Sequence, residues 1–120
     1  MNGQEVLAKC GNDRKLLAEL CKLFVDESSR LMQTLAAAVA NRDAGAIQRT
    51  AHTLRGSTQF FSTGPAVESL KELEAIARRG ACMEADQVLA RLVQEMNQVS
   101  EEAARMPAEV GPAEDTVEVS

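Results

Sequence analysis

Apolar residues recur at three- and four-residue spacing along most of this chain, the period of a helix rather than of a strand. The longest stripe is Leu16, Leu17, Leu20, Leu23, Phe24, Leu31, Leu35, Ala38 and Val39, which predicts one helix over residues 13–41. Glu27, Ser28 and Ser29 interrupt it, but no proline forces a break there. Ahead of it, residues 4–10 read as a short helix with Val6 and Leu7 apolar. Gly11 suits the position just past that helix, and Asn12 or Asp13 suits the cap of the next.

Asp43 is a good N-cap for a third helix, whose apolar face is Ile47, Ala51, Leu54, Thr58 and Phe61. Ser62-Thr63-Gly64-Pro65 reads as a turn, with Thr63 or Gly64 at the cap and Pro65 in the first helical position. The fourth helix is expected over residues 65–79, with Val67, Leu70, Leu73, Ile76 and Ala77 inward and Gly80 ending it. The fifth runs over residues 83–105 on the stripe Val88, Leu89, Leu92, Val93, Met96 and Val99. Pro107 is expected to stop it. Residues 107–120 hold two Pro, one Gly, four acids and no basic residue, and read as an acidic disordered tail or linker. The expected fold is therefore all-α: an antiparallel up-down four-helix bundle over residues 1–106, with a short additional N-terminal helix.

Composition narrows the function. A chain of 120 residues makes one domain. A net charge of −5 and a pI near 4.9 argue against nucleic acid, which calls for a basic face. No apolar run approaches the ~20 residues that span a bilayer, so no membrane contact is expected. There is no signal-peptide pattern. Cys10, Cys21 and Cys82 are odd in number and scattered, which suits a reducing cytoplasm. With one histidine and no close cysteine pair, no metal site is expected.

The chemistry gathers on Thr50-Ala51-His52-Thr53-Leu54-Arg55-Gly56-Ser57, which holds the sole histidine. At about 100° per residue, Gln48, Arg49, His52, Arg55, Gly56 and Gln59 fall opposite the apolar face, so His52 points at water. Imidazole is the side chain that ordinarily titrates nearest neutrality, and a neutral ring has a free lone pair that can attack phosphorus. A phosphate there would carry close to two negative charges. Arg55, one turn on along the same face, can donate charge-assisted hydrogen bonds to it. Gly56 costs about 1 kcal/mol in a helix relative to Ala, and room for a partner beside the ring is one return for that cost.

Ala51-His52-Thr53-Leu54-Arg55-Gly56-Ser57 resembles the signature of histidine phosphotransfer (HPt) domains, usually His-x-Leu-Lys-Gly-Ser/Ala. The resemblance extends over roughly residues 4–105 and includes a long helix before the motif and the Leu70-x-x-Leu73-Glu74 run after it. It implies that His52 accepts and donates a phosphoryl group in a two-component phosphorelay, between receiver-domain aspartates of a hybrid sensor histidine kinase or a response regulator. Arg55 would stabilise the phosphate. Gln48, Arg49, Gly56 and Gln59 would meet the receiver, as would Phe60, about 80° round the helix from His52. The receiver would supply the aspartate and a Mg²⁺, and this chain, a monomer, no cofactor. Arg55 stands in place of the usual Lys, and Ser62 stands where the family usually has Gly.

The chain has no Gly-rich phosphate loop and no nucleotide-binding domain, so a phosphoryl carrier without its own kinase activity is expected. Nucleophile–His–acid hydrolysis has no support either, since Ser57 points away from His52. The alternative is a non-catalytic helical-bundle interaction module with a silent His52.

Overall fold

The computed structural model describes residues 2–111. Its helices are α1 (Gly3–Lys9), α2 (Arg14–Ala40), α3 (Ala44–Phe61), α4 (Pro65–Arg79) and α5 (Ala85–Val110), with a 3₁₀ turn at Cys82–Glu84 before the last. Among the described residues there is no strand. Among the described residues no helix is long and apolar enough to cross a membrane.

Local chemistry sets most of the ends. Asn2 and Glu5 form a reciprocal capping box on α1. Asp13 accepts from Leu16 N at 3.0 Å to start α2, and Asp43 accepts from Ala46 N at 3.1 Å to start α3. The Gly64 N–H donates to Ser62 Oγ at 3.1 Å, and Pro65 opens α4 as its first residue. Gly80, at φ 71°, closes α4 in the left-handed conformation that a residue with a side chain resists. α2 runs unbroken through Glu27, Ser28 and Ser29. Ser28 is buried, and its hydroxyl donates to the Val25 carbonyl at 3.3 Å, so the polar interruption is absorbed within the helix.

The four long helices form a closed ring of contacts: α2 lies against α3 and α5, and α4 against the same two. Leu17, Leu35, Ile47, Leu54, Leu70, Leu73, Ile76 and Leu92 fill its centre, none more than 2% exposed. Three residues of the predicted stripes lie outside it: Leu16, Leu23 and Val93 are 38%, 56% and 40% exposed. The apolar arcs of α2 and α5 are wider than their neighbours cover.

Pro107 does not end α5. The helix continues through it to Val110, so the expected boundary after residue 106 falls inside a helix. A proline inside a helix removes one backbone hydrogen bond and costs about 3 kcal/mol. Tertiary contacts offset that cost here. Met106 and Val110 are 1% and 6% exposed. Arg14 Nε donates to the Val110 carbonyl at 2.8 Å, satisfying one of the carbonyls a helix end leaves open. The backbone of α1 lies so close that a Cβ at Gly3 would meet Val110 Cγ1 at 3.2 Å. The rest of the expected acidic tail, residues 112–120, lies outside the described residues.

This arrangement makes Val110 a core residue. Val110→Ala should lower unfolding stability by about 1–2 kcal/mol, in line with large-to-small changes in a core. A denaturant melt reads this directly, with the exposed Glu109→Ala as a control expected within about 0.5 kcal/mol of wild type. Equal midpoints for both variants would return residues 107–110 to a tail.

Candidate functional site

The site is built on α3. Ile47, Thr50, Ala51, Leu54, Thr58 and Phe61 are buried, and Thr58 Oγ1 reaches Met96 Sδ at 3.7 Å across the core. The opposite face is open. His52 lies on it with its side chain 69% exposed, as the periodicity predicts.

The ring is nevertheless held from beneath. Its Nδ1 lies 3.2 Å from Glu74 Oε1, on α4. Glu74 is itself buried, its side chain only 6% exposed. Arg55 Nε donates to Glu74 Oε2, and Arg55 Nη2 stands 3.4 Å from Glu74 Oε1 and 3.2 Å from His52 Nδ1. The three side chains form one closed cluster between α3 and α4.

Glu74 is the member that periodicity did not single out. A signal was present: on the wheel of α4 it falls between Leu70 and Val67, inside the apolar arc, at about 40° and 20° from them. An acid on a buried arc must be paired or it costs several kcal/mol. The partner comes from α3, and only the tertiary structure names it. Burial by itself pushes the Glu74 carboxyl up. The hydrogen bonds from Arg55 and His52, with the attraction of both charges, outweigh burial and hold it below the ordinary carboxylate value. The hydrogen bond to Glu74 in turn raises the Arg55 guanidinium above its already high value, against a smaller opposing effect of burial.

Arg55 is therefore more than a solvated arm. Its side chain is 25% exposed, and it bridges a buried carboxylate and the ring at once. The planar fork of arginine can span both, whereas the single ammonium of lysine is a point donor.

The other expected site residues divide. Gln48, Gly56 and Gln59 lie on the open face with the ring, Gln48 half-buried and the other two exposed. Arg49 shares that face, but its guanidinium is directed at Gly45, two turns before the ring: a Cβ at Gly45 would meet Arg49 Nη1 at 3.1 Å. Phe60 is half-buried. It meets Phe61 edge-on at 5.1 Å, and the Lys9 ammonium sits 4.8 Å from its ring centre. Lys9 Nζ also donates to the Phe60 carbonyl at 2.7 Å, near the end of α3 where a cation is favoured. Phe60 lines a groove of about 260 Å³ with Leu20, Leu23, Phe24, Glu27, Ser57 and Phe61. The Ser57 hydroxyl donates back to the Thr53 carbonyl at 3.4 Å, along its own helix.

Ser62, in the place where a glycine was noted as usual, has φ −153° and ψ 148°. That is extended backbone open to any residue, so a serine fits without strain. Among the described residues no group of three or more His, Cys, Asp or Glu side chains could hold a metal ion.

A family model described as "Hpt domain" matches residues 19–102. No curated protein and no solved structure matches the chain.

Two outcomes follow from this geometry. A Cβ built on Gly56 meets nothing within 4 Å, so Gly56→Ala should raise stability by up to about 1 kcal/mol through helix propensity. A melt showing a clear loss would place the glycine against a neighbour. The second outcome concerns the buried carboxylate. Glu74 has a depressed pKa in the folded state, so its contribution to stability is present above the unfolded carboxylate pKa of about 4.3 and is lost as pH falls through the folded value. Arg55→Ala leaves Glu74 buried without its main partner and should cost about 1–3 kcal/mol at pH 7. The gap between Glu74→Gln and wild type should narrow as pH falls below about 4. A gap that stays constant down to acid pH would mean Glu74 is not ionised in the fold.

Proposed function

The chain belongs to the Hpt domain family, and on that footing we propose that it carries a phosphoryl group on His52 between the aspartates of two receiver domains. Domains of this family are phosphoryl carriers in phosphorelays rather than kinases. The observation that carries the reading for this chain is the pairing of an exposed imidazole with a buried carboxylate at its inner nitrogen.

When Nδ1 carries the proton and donates it to Glu74, the outer nitrogen, Nε2, keeps its lone pair and faces solvent. That lone pair attacks phosphorus in line. The P–O bond to the receiver's aspartate breaks, and its electron pair returns to the aspartate carboxylate. The ring gains positive charge as the N–P bond forms, and Glu74 stabilises that charge through the Nδ1–H, as the acid of a catalytic triad does. Arg55 offers Nη2 to the phosphate oxygens. Transfer onward is the same path in reverse. Such transfer depends on positioning and charge neutralisation, for which the receiver would provide the aspartate and its Mg²⁺.

The surroundings support docking. Gly56 leaves space beside the ring, Gln48 and Gln59 add polar groups to the same face, Arg49 adds a charge farther from the ring, and the groove at Leu20, Leu23 and Phe60 offers apolar contacts. A monomer acting in the cytoplasm, with receiver domains of a hybrid kinase or response regulator as partners, fits these features.

The test is direct. Incubated with a phosphorylated receiver, the wild-type protein should acquire acid-labile, base-stable phosphate, the mark of a phosphoramidate. His52→Gln should fold normally, since the ring is exposed, and take none. A labelled His52→Gln protein, or an unlabelled wild type across a panel of receivers, would leave a helical interaction module with a silent histidine.

A further inference from the structure

Two hydrogen bonds converge on one ring nitrogen, and only one of them can exist at a time. Nδ1 of a neutral imidazole carries either a proton or a lone pair. Glu74 Oε1, at 3.2 Å, accepts and needs the proton there. Arg55 Nη2, also at 3.2 Å, donates and needs the lone pair there. Each contact therefore selects a different tautomer. Both are charge-assisted, and their equal lengths favour neither.

The two forms differ in reactivity. In the Nδ1–H form, Nε2 is bare and faces solvent. In the other, Nε2 holds the proton and has no lone pair to offer. The lone pair then sits at Nδ1, turned toward α4 and occupied by Arg55. This second form is not a nucleophile toward a partner on the open face.

We propose that Arg55 is a tautomer gate on His52. Its guanidinium holds part of the free protein in the unreactive Nε2–H form, and a phosphoryl group arriving at the ring draws Nη2 off Nδ1 and releases the reactive Nδ1–H form. The proposal rests on the carrier reading above. The release needs no outside reagent: Nε2 gives its proton to water, water gives one to Nδ1, and the ring stays neutral. The movement is small, because Arg55 Nε remains on Glu74 Oε2 while Nη2 alone moves, leaving Nδ1 and its longer 3.4 Å contact with Glu74 Oε1. Two negative charges on the incoming group attract that arm more strongly than a neutral ring nitrogen does. Arg55 thus acts as a positioning residue before transfer and as a phosphate ligand during it. The departure from lysine matters here, since the second arm of the rigid fork is the part that reaches Nδ1.

The chain has one histidine, so ¹⁵N-labelled histidine reports this ring alone. At about pH 9, where imidazole is neutral, the shifts of the two ring nitrogens give the tautomer ratio in the free protein, with no receiver present. The wild type should show a mixture. Arg55→Lys keeps a cation against Glu74 and so keeps the fold, while removing the second arm. It should raise the ratio of Nδ1–H to Nε2–H by about fivefold, the factor that one net hydrogen bond is worth. Arg55→Ala should move it the same way, and Glu74→Gln the opposite way. An Arg55→Lys ratio unchanged or shifted toward Nε2–H overturns the gate, as does a wild type already wholly Nδ1–H. Because the reading is taken without transfer, it is separate from labelling of His52. A labelled wild type with an unmoved ratio keeps the carrier and removes the gate. A ratio that moves as expected in a protein no receiver labels keeps the gate's selection of tautomers and removes the relay.

Discussion

A buried carboxylate is the constraint on which the site depends. Glu74 lies inside the apolar arc of α4 with its side chain almost wholly out of water. A charge in that position must be matched by donors, and the sources available are Arg55 and His52 on α3. Matching it orients the guanidinium, seats the inner ring nitrogen and ties α3 to α4 at the level of the exposed imidazole. The chemistry of the open face therefore derives its geometry from the closed side. A histidine standing alone on that face would have the same exposure but no preferred orientation and no carboxylate beside its inner nitrogen.

The same cluster explains why an exposed site need not be a loose one. α3 is capped locally by Asp43 and α4 is closed by Gly80, and the α3 backbone beneath His52 rests on Ile47, Ala51 and Leu54, none of which is exposed to solvent. The ring and the fork of Arg55 then need only a short reach to their partners. Open space remains at Gly56, with no neighbour over it, and along the groove beside Leu23, where the apolar arc of α2 outruns the bundle's own coverage. Phe60 belongs to both regions, pinned by Lys9 from α1 on one side and lining the groove on the other.

α1 has a larger part than its length suggests. It holds Phe60 through Lys9 at one end of the molecule's contacts and covers Val110 near Gly3 at another. Its docking, with Arg14 on the Val110 carbonyl, gives α5 a reason to continue past Pro107. Local sequence rules read a proline as a stop because they weigh only the lost backbone bond and the ring's clash. Burial of Met106 and Val110 adds a term those rules omit, of about the same size and opposite sign.

The sequence by itself determined the class of fold, the count of the long helices and their ends other than those of α5, the exposed placing of His52 and the open position of Gly56. Each of these depends on neighbours within a turn or two: a 3.6-residue period, a capping side chain, a proline or glycine in a position it favours. The tertiary structure alone decided the rest. It chose Glu74 as the partner of both His52 and Arg55, turned Arg49 away from the ring, left Leu23 uncovered and carried α5 through Pro107. These outcomes depend on which surface of one helix meets which surface of another, and a periodicity records that a face is apolar without recording what lies against it.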